Sequence, residues 1–88
     1  MKITVSGIFN DAYLFTRKNK NFPSAINIVK CMVEQNGIKE ALPPLEIECD
    51  NNTLKENILK LIELEGKEVC LQCEYVFLHN KYQLIKVL

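Results

Sequence analysis

Apolar side chains recur at every second position through most of this chain, and at helical spacing in one place only, between Thr53 and Gly66. Period two marks strands with one buried face, whereas period 3.6 marks an amphipathic helix. Such a pattern predicts a mainly β domain with a single helix, whose wide apolar arc suits the end of a curved sheet better than a flat surface. The 88 residues, 48% of them hydrophobic, suffice for one domain spanning residues 1–88 and exclude a second.

In "KITVSGIF" the alternation places Ile3, Val5 and Phe9 on one face, and Gly7 interrupts it where a strand would bend or bulge. "DAYLFT" extends this first strand. In "SAINIVKCMVEQ" Ile26, Ile28 and Met32 form one face of a second strand, and Val29, Cys31 and Val33 the other. "NGIKEALPP" reads as a loop, because Asn36-Gly37 and Pro43-Pro44 both interrupt ladders. "LEIECD" alternates without exception, Leu45, Ile47 and Cys49 toward a core and Glu46, Glu48 and Asp50 toward water. Thr53 and Glu56 have the spacing of a capping box; Leu54, Ile58, Leu61 and Ile62 share a face, widened by Leu59 and Leu64; Gly66 suits a left-handed stop. The helix is therefore predicted over 53–65. "KEVCLQCEYVFL" then sends Val69, Leu71, Cys73, Tyr75 and Phe77 one way, "HNK" turns the chain, and "YQLIKVL" closes it as a last strand.

Three strands, a helix between the third and fourth, and two further strands resemble the layout of the OB-fold, a small five-stranded barrel that binds oligonucleotides. "FTRKNKNFPSAIN" before an apolar strand is similar to the corresponding region of the small single-stranded-DNA-binding proteins of phages and mobile elements. That resemblance implies cytoplasmic, sequence-nonspecific binding of single-stranded DNA, with RNA as the alternative ligand. It also implies a role in DNA replication, a homodimer, and contact with a replication protein. The chain departs from that group in its full helix, its acidic third strand and its zero net charge.

Neutrality conceals two poles. Residues 1–30 carry Lys2, Arg17, Lys18, Lys20 and Lys30 against Asp11 alone, while residues 31–50 carry Lys39 against Glu34, Glu40, Glu46, Glu48 and Asp50. In an OB-fold the face of strands two and three binds the ligand between the loops joining strands one to two and four to five. Those loops would hold Arg17, Lys18, Lys20 and Phe22, and His79, Asn80, Lys81 and Tyr82. Cations neutralise phosphates and aromatic rings stack on bases. The expected contacts are thus Arg17, Lys18, Lys20, Lys30 and Lys81 for phosphate, and Tyr13, Phe22 and Tyr82 for stacking. Two plainer readings stand beside these: "RKNKN" as a solvated hairpin tip, and Tyr13 with Phe15 as a core pair. Glu46, Glu48 and Asp50 would repel a strand if they faced the groove. A protein-interaction module, binding a host or replication protein through its acidic face or a sheet edge, is the competing function.

Other chemistries find no footing. Cys70 and Cys73 fall on opposite faces of one strand with no Gly or Pro to form a zinc knuckle, so all four cysteines read as structural thiols and no metal or cofactor is expected. No phosphate loop, paired histidines or nucleophile signature accompanies His79, and catalysis is not expected. No apolar run reaches the roughly 18 residues a membrane helix needs, and "MKITVSGIF" lacks a signal-peptide pattern, so a cytoplasmic protein without membrane contact is expected.

Overall fold

The computed structural model describes residues 1–13 and 24–88. Its elements are β1 (Lys2–Tyr13), β2 (Ser24–Gln35), β3 (Ile38–Leu42), β4 (Leu45–Cys49), α1 (Asn51–Glu63), β5 (Glu68–Val76), a 3-10 turn (Phe77–His79) and β6 (Lys81–Val87). Neighbouring strands run β1-β5-β6-β4-β2, and β1 pairs with β2 to close the ring. All barrel pairings are antiparallel except β4 with β6. The result is a closed five-stranded, OB-fold-like barrel with its helix between the third and fourth barrel strands.

β3 lies outside that ring. Its residues read as loop in the amino-acid pattern, yet they form an antiparallel hairpin with the far end of β2, from Gln35 opposite Ile38 to Cys31 opposite Leu42. Asn36 and Gly37 take the turn at φ 53° and 77°, the left-handed conformation a two-residue hairpin demands. Lys39, Glu40 and the following Pro43 and Pro44 blunt its free edge against further pairing.

The barrel closes because β1 and β2 are both long and both bulged. Ser6 opposes Met32 and Ile8 opposes Val29, so Gly7 faces two residues, Lys30 and Cys31. Lys30 takes φ 53°, and the extra residue reverses the facing of everything beyond it. Ile26 and Ile28 point inward before the bulge, and Cys31 does so after it. Met32, expected beside Ile26 and Ile28, is therefore displaced from the innermost core.

Ile3, Val5, Phe9, Ile26, Ile28, Ile47, Val69, Leu71, Cys73, Leu84 and Val87 fill the barrel, joined by Leu54 and Leu61 of α1. A fully buried aliphatic side chain contributes about 1.5 to 3 kcal/mol, so this cluster carries the fold. Ile58 and Leu64 pack against it, but Leu59 and Ile62 are largely exposed, which makes the buried helix stripe narrower than expected.

The helix starts earlier than its Thr53 signal. Asp50 is the cap: its carboxylate accepts from the Thr53 backbone N–H at 2.8 Å and from the Thr53 hydroxyl at 3.1 Å. These bonds, the backbone one first, hold the Asp50 carboxyl below its usual pKa. Gly66, at φ 76°, ends the connection as expected. Its N–H donates to the Phe9 carbonyl at 2.8 Å, and Phe9 N–H donates to the Lys67 carbonyl at 3.0 Å. The exit of the helix is thereby fastened to β1. No helix among the described residues is long and apolar enough to cross a membrane.

Candidate nucleic-acid interface

Strand pairing locates the face that an oligonucleotide-binding barrel uses. Ser24 to Ile28 of β2 run opposite Cys49 to Leu45 of β4, and Ile47 and Glu48 lie beside Tyr82 and Gln83 of β6. The β1–β2 connection enters this face at Ser24, at the Cys49 end of β4, and the β5–β6 turn joins it near the opposite end. The β5–β6 side of the expected layout is thus described, while residues 14–23 of the other connection lie outside the described residues.

Its outward side chains are not those of a phosphate cradle. Ile47 and Cys49 point into the core, so Glu46 and Glu48 point out, and Asn27 stands opposite Glu46. Asn27 donates to Asp11 Oδ1 at 2.6 Å, bringing a third carboxylate to the same surface. A depression of about 310 Å³ at the β4–β6 margin is lined by Glu48, Cys49, Asp50, Gln83 and Leu84. Phosphate approaching β4 directly would meet negative charge.

The expected contact residues are distributed unevenly around this face. Arg17, Lys18, Lys20 and Phe22 lie outside the described residues. Tyr13 ends β1 with its backbone opposite Ala25, and its side chain also falls outside the description. Lys30 is exposed at the β2 bulge. Lys81 is exposed but engaged, its Nζ 3.6 Å from Glu48 Oε1.

Tyr82 is half-buried against the core, its ring centroid 5.0 Å from that of Tyr75. Burial, then the neighbouring Tyr75 and Glu40, pushes its phenol pKa up. A tyrosine so placed supports the barrel wall, and less of its ring is open to a base than the expected stacking contact would use.

Phe77 is the reverse case. Counted among core residues by its alternation with Tyr75 and Cys73, it is 79% exposed, and Leu78 beside it is 88% exposed. β5 stops at Val76, and the 3-10 turn carries Phe77 off the period-two line. One sequence signal marks this region: no Asp or Glu occurs between Tyr75 and Leu88, while Lys81 and Lys86 do. His79, at the same turn, is exposed.

Burial shapes three of the four thiols. Cys31, Cys49, Cys70 and Cys73 are all free, and only Cys70 is partly accessible. Burial first, with a nearby negative charge second, raises Cys49 to about 11 and Cys73 to about 12, and burial raises Cys31 despite a backbone bond from Leu45. Among the described residues no three His, Cys, Asp or Glu side chains converge as a metal would require.

Comparison with known proteins adds no family to this geometry: no family model, curated protein or solved structure matches the chain at a significant level.

Proposed function

We propose that this chain is a non-catalytic binding module whose ligand is single-stranded nucleic acid, DNA in the first instance. The observation that carries the reading is the OB-fold-like barrel connectivity, in which β2 pairs with β4 and β4 with β6 to form one continuous face. On this reading the β1–β2 connection contributes Arg17, Lys18, Lys20 and Phe22, which lie outside the described residues, and the β5–β6 turn with the start of β6 contributes Phe77, His79 and Lys81. Phosphates are neutralised at the rims by the cations, and the bases turn toward the aromatics. Phage or mobile-element origin, a replication role and dimerisation belong to this proposal through the resemblance alone.

Anisotropy of labelled oligo-dT, titrated at low and at moderate salt with duplex DNA of equal length as control, tests it. Binding should weaken with salt and disfavour duplex, because a splayed strand offers bases that a duplex hides. Absence of binding to any single strand at low salt, by protein shown to be folded, would remove the proposal.

A second reading has an observation of its own, the outward carboxylates of Asp11, Glu46 and Glu48, which suit a basic protein surface. The two readings disagree over Glu48. An exposed ion pair contributes only about 0 to 1 kcal/mol, so the fold does not depend on the Lys81–Glu48 contact and Glu48→Gln should fold normally. On the nucleic-acid reading this change frees Lys81 and removes a repulsive charge, so oligo-dT binding should tighten several-fold, with a salt slope steeper by up to about 0.7. On the protein-partner reading it weakens capture. Unchanged oligo-dT affinity would place the strand's path away from the outer face of β4.

A further inference from the structure

Among the described residues Phe77 is the sole aromatic with most of its surface in water, and it does not stand there loosely. Its turn closes through Asn80, whose N–H donates to the Phe77 carbonyl at 3.3 Å and whose backbone is left-handed, φ 49° and ψ 47°. Asn80 is in turn held by Tyr75, whose hydroxyl donates to Asn80 Oδ1 at 2.7 Å. The Tyr75 ring meets Phe77 edge-on, at 6.4 Å between centroids and 85° between planes. Tyr82 packs behind Tyr75 at 5.0 Å, and both tyrosines rest on the barrel core.

An edge-on contact braces a ring without covering both of its faces. Burying a phenylalanine contributes about 1.5 to 3 kcal/mol, a gain that this position forgoes. Apart from Leu78, the other exposed large apolar side chains among the described residues are not aromatic: Ile38 sits on the edge strand, Leu59 and Ile62 on the outer face of α1, Ile85 on β6, and Met1 and Leu88 at the two ends of the chain. Among the described residues only the turn at 77–78 carries an exposed aromatic on a braced backbone, in a stretch without carboxylates and four residues from Lys81.

We propose that Phe77, braced by Tyr75 and Asn80, is the platform on which an unpaired nucleobase stacks, with Leu78 extending the apolar contact and Lys81 meeting the adjoining phosphate. This rests on the nucleic-acid reading and assigns its aromatic contact to Phe77 in place of Tyr82. Tyr75 and Tyr82 are positioning residues behind it. A base offers the ring a flat apolar partner whatever its identity, which suits binding without sequence preference.

The chain contains no tryptophan, so Phe77→Trp places a single indole reporter at the platform. Oligo-dT should quench its fluorescence while affinity is kept. Phe77→Ala should weaken oligo-dT binding by about 5- to 100-fold, and leave the salt slope unaltered because no charge is lost. Against an abasic strand of the same length, with phosphates but no bases, Phe77→Ala and the unmodified protein should bind alike.

Unmodified protein that binds oligo-dT, with Phe77→Ala binding equally well and the indole unquenched, would overturn the stacking role and leave the nucleic-acid reading standing. Failure of the unmodified protein to bind any single strand would remove both. Loss of self-association in Phe77→Ala by sedimentation, at unchanged oligo-dT affinity, would overturn the proposal by assigning the turn to contact between two copies.

Discussion

Gly7→Ala should lower the stability of this barrel by roughly 2 to 3 kcal/mol, toward the upper end of what overpacking costs, with a melting midpoint about 10 to 20 °C lower for a domain of this size. A methyl group at Gly7 would lie 2.6 Å from Ile28 Cγ2, 2.7 Å from the Val29 carbonyl oxygen and 3.2 Å from that of Lys30. The side-chain contact could be relieved by a shift of Ile28, but Ile28 is fully buried. The two carbonyls belong to the bulge that turns Cys31 inward, so moving them disturbs the closure of β1 on β2.

Replacing glycine ordinarily gains about 0.4 to 1 kcal/mol by restricting the unfolded chain, and that gain is too small to offset the clash. Gly37→Ala is the control. Its φ of 77° is strained for alanine, yet nothing lies within 4 Å of the added carbon, so its cost stays near 1 to 2 kcal/mol. Chemical or thermal denaturation should rank Gly7→Ala as the less stable of the two. The opposite ranking would mean that the bulge yields, and that barrel closure does not depend on close approach at Gly7.

The bulge also shows where the amino-acid pattern stops being readable. The anomaly at Gly7 is visible in "KITVSGIF", but its consequence falls on the partner strand. Parity counted through "SAINIVKCMVEQ" holds until Lys30 adds one residue, after which Cys31 takes the inward place expected of Met32. Periodicity records only which residues alternate within a strand; what opposes them comes from pairing.

β3 escaped for a related reason. Nearly all of "IKEAL" is exposed, so neither face carries an apolar repeat and the strand exists through its backbone ladder with β2. Its turn, Asn36-Gly37, was legible as an interruption, and it is the hairpin turn that makes the strand. Asp50 and Thr53 are both capping residue types three positions apart. The earlier one takes the cap because β4 leads straight into the helix, a continuity invisible to a local capping rule.

The site was legible in its charges and less so in its aromatics. The alternation of "LEIECD" gave the outward Glu46 and Glu48 correctly, and with them the acidic face. Phe77, expected on the core side of its strand, is exposed, and Tyr82, expected at the surface, packs partly against the core. Extending the period of β5 by one pair of residues buried Phe77 on paper, whereas the strand ends at Val76 and the turn lifts the ring into water. A ring's hydrophobicity does not distinguish a core residue from an exposed one; the position of the strand end does.

Replacing Arg17, Lys18 and Lys20 together with alanine should produce the largest loss of binding of any change considered. The argument rests on charge alone, because these residues lie outside the described part of the structure. The outer face of β4 is acidic and Lys81 is partly neutralised by Glu48, so the proposal draws its remaining positive charge chiefly from the three cations that the sequence sets within four residues of this connection. For single strands each phosphate contact steepens the dependence of log K on log salt by about 0.7. Three lost contacts should flatten the slope by about 2, and at 50 mM salt counterion release of that size corresponds to an affinity loss on the order of several hundred-fold. The difference should shrink as salt rises. Lys55→Ala with Lys60→Ala, two exposed helix positions, should leave both affinity and slope in place. An unchanged slope in the triple variant would transfer the phosphate contacts to Lys30 and Lys81. Oligo-dT binding that survives with all five cations neutralised would mean that stacking, and not charge, holds the strand.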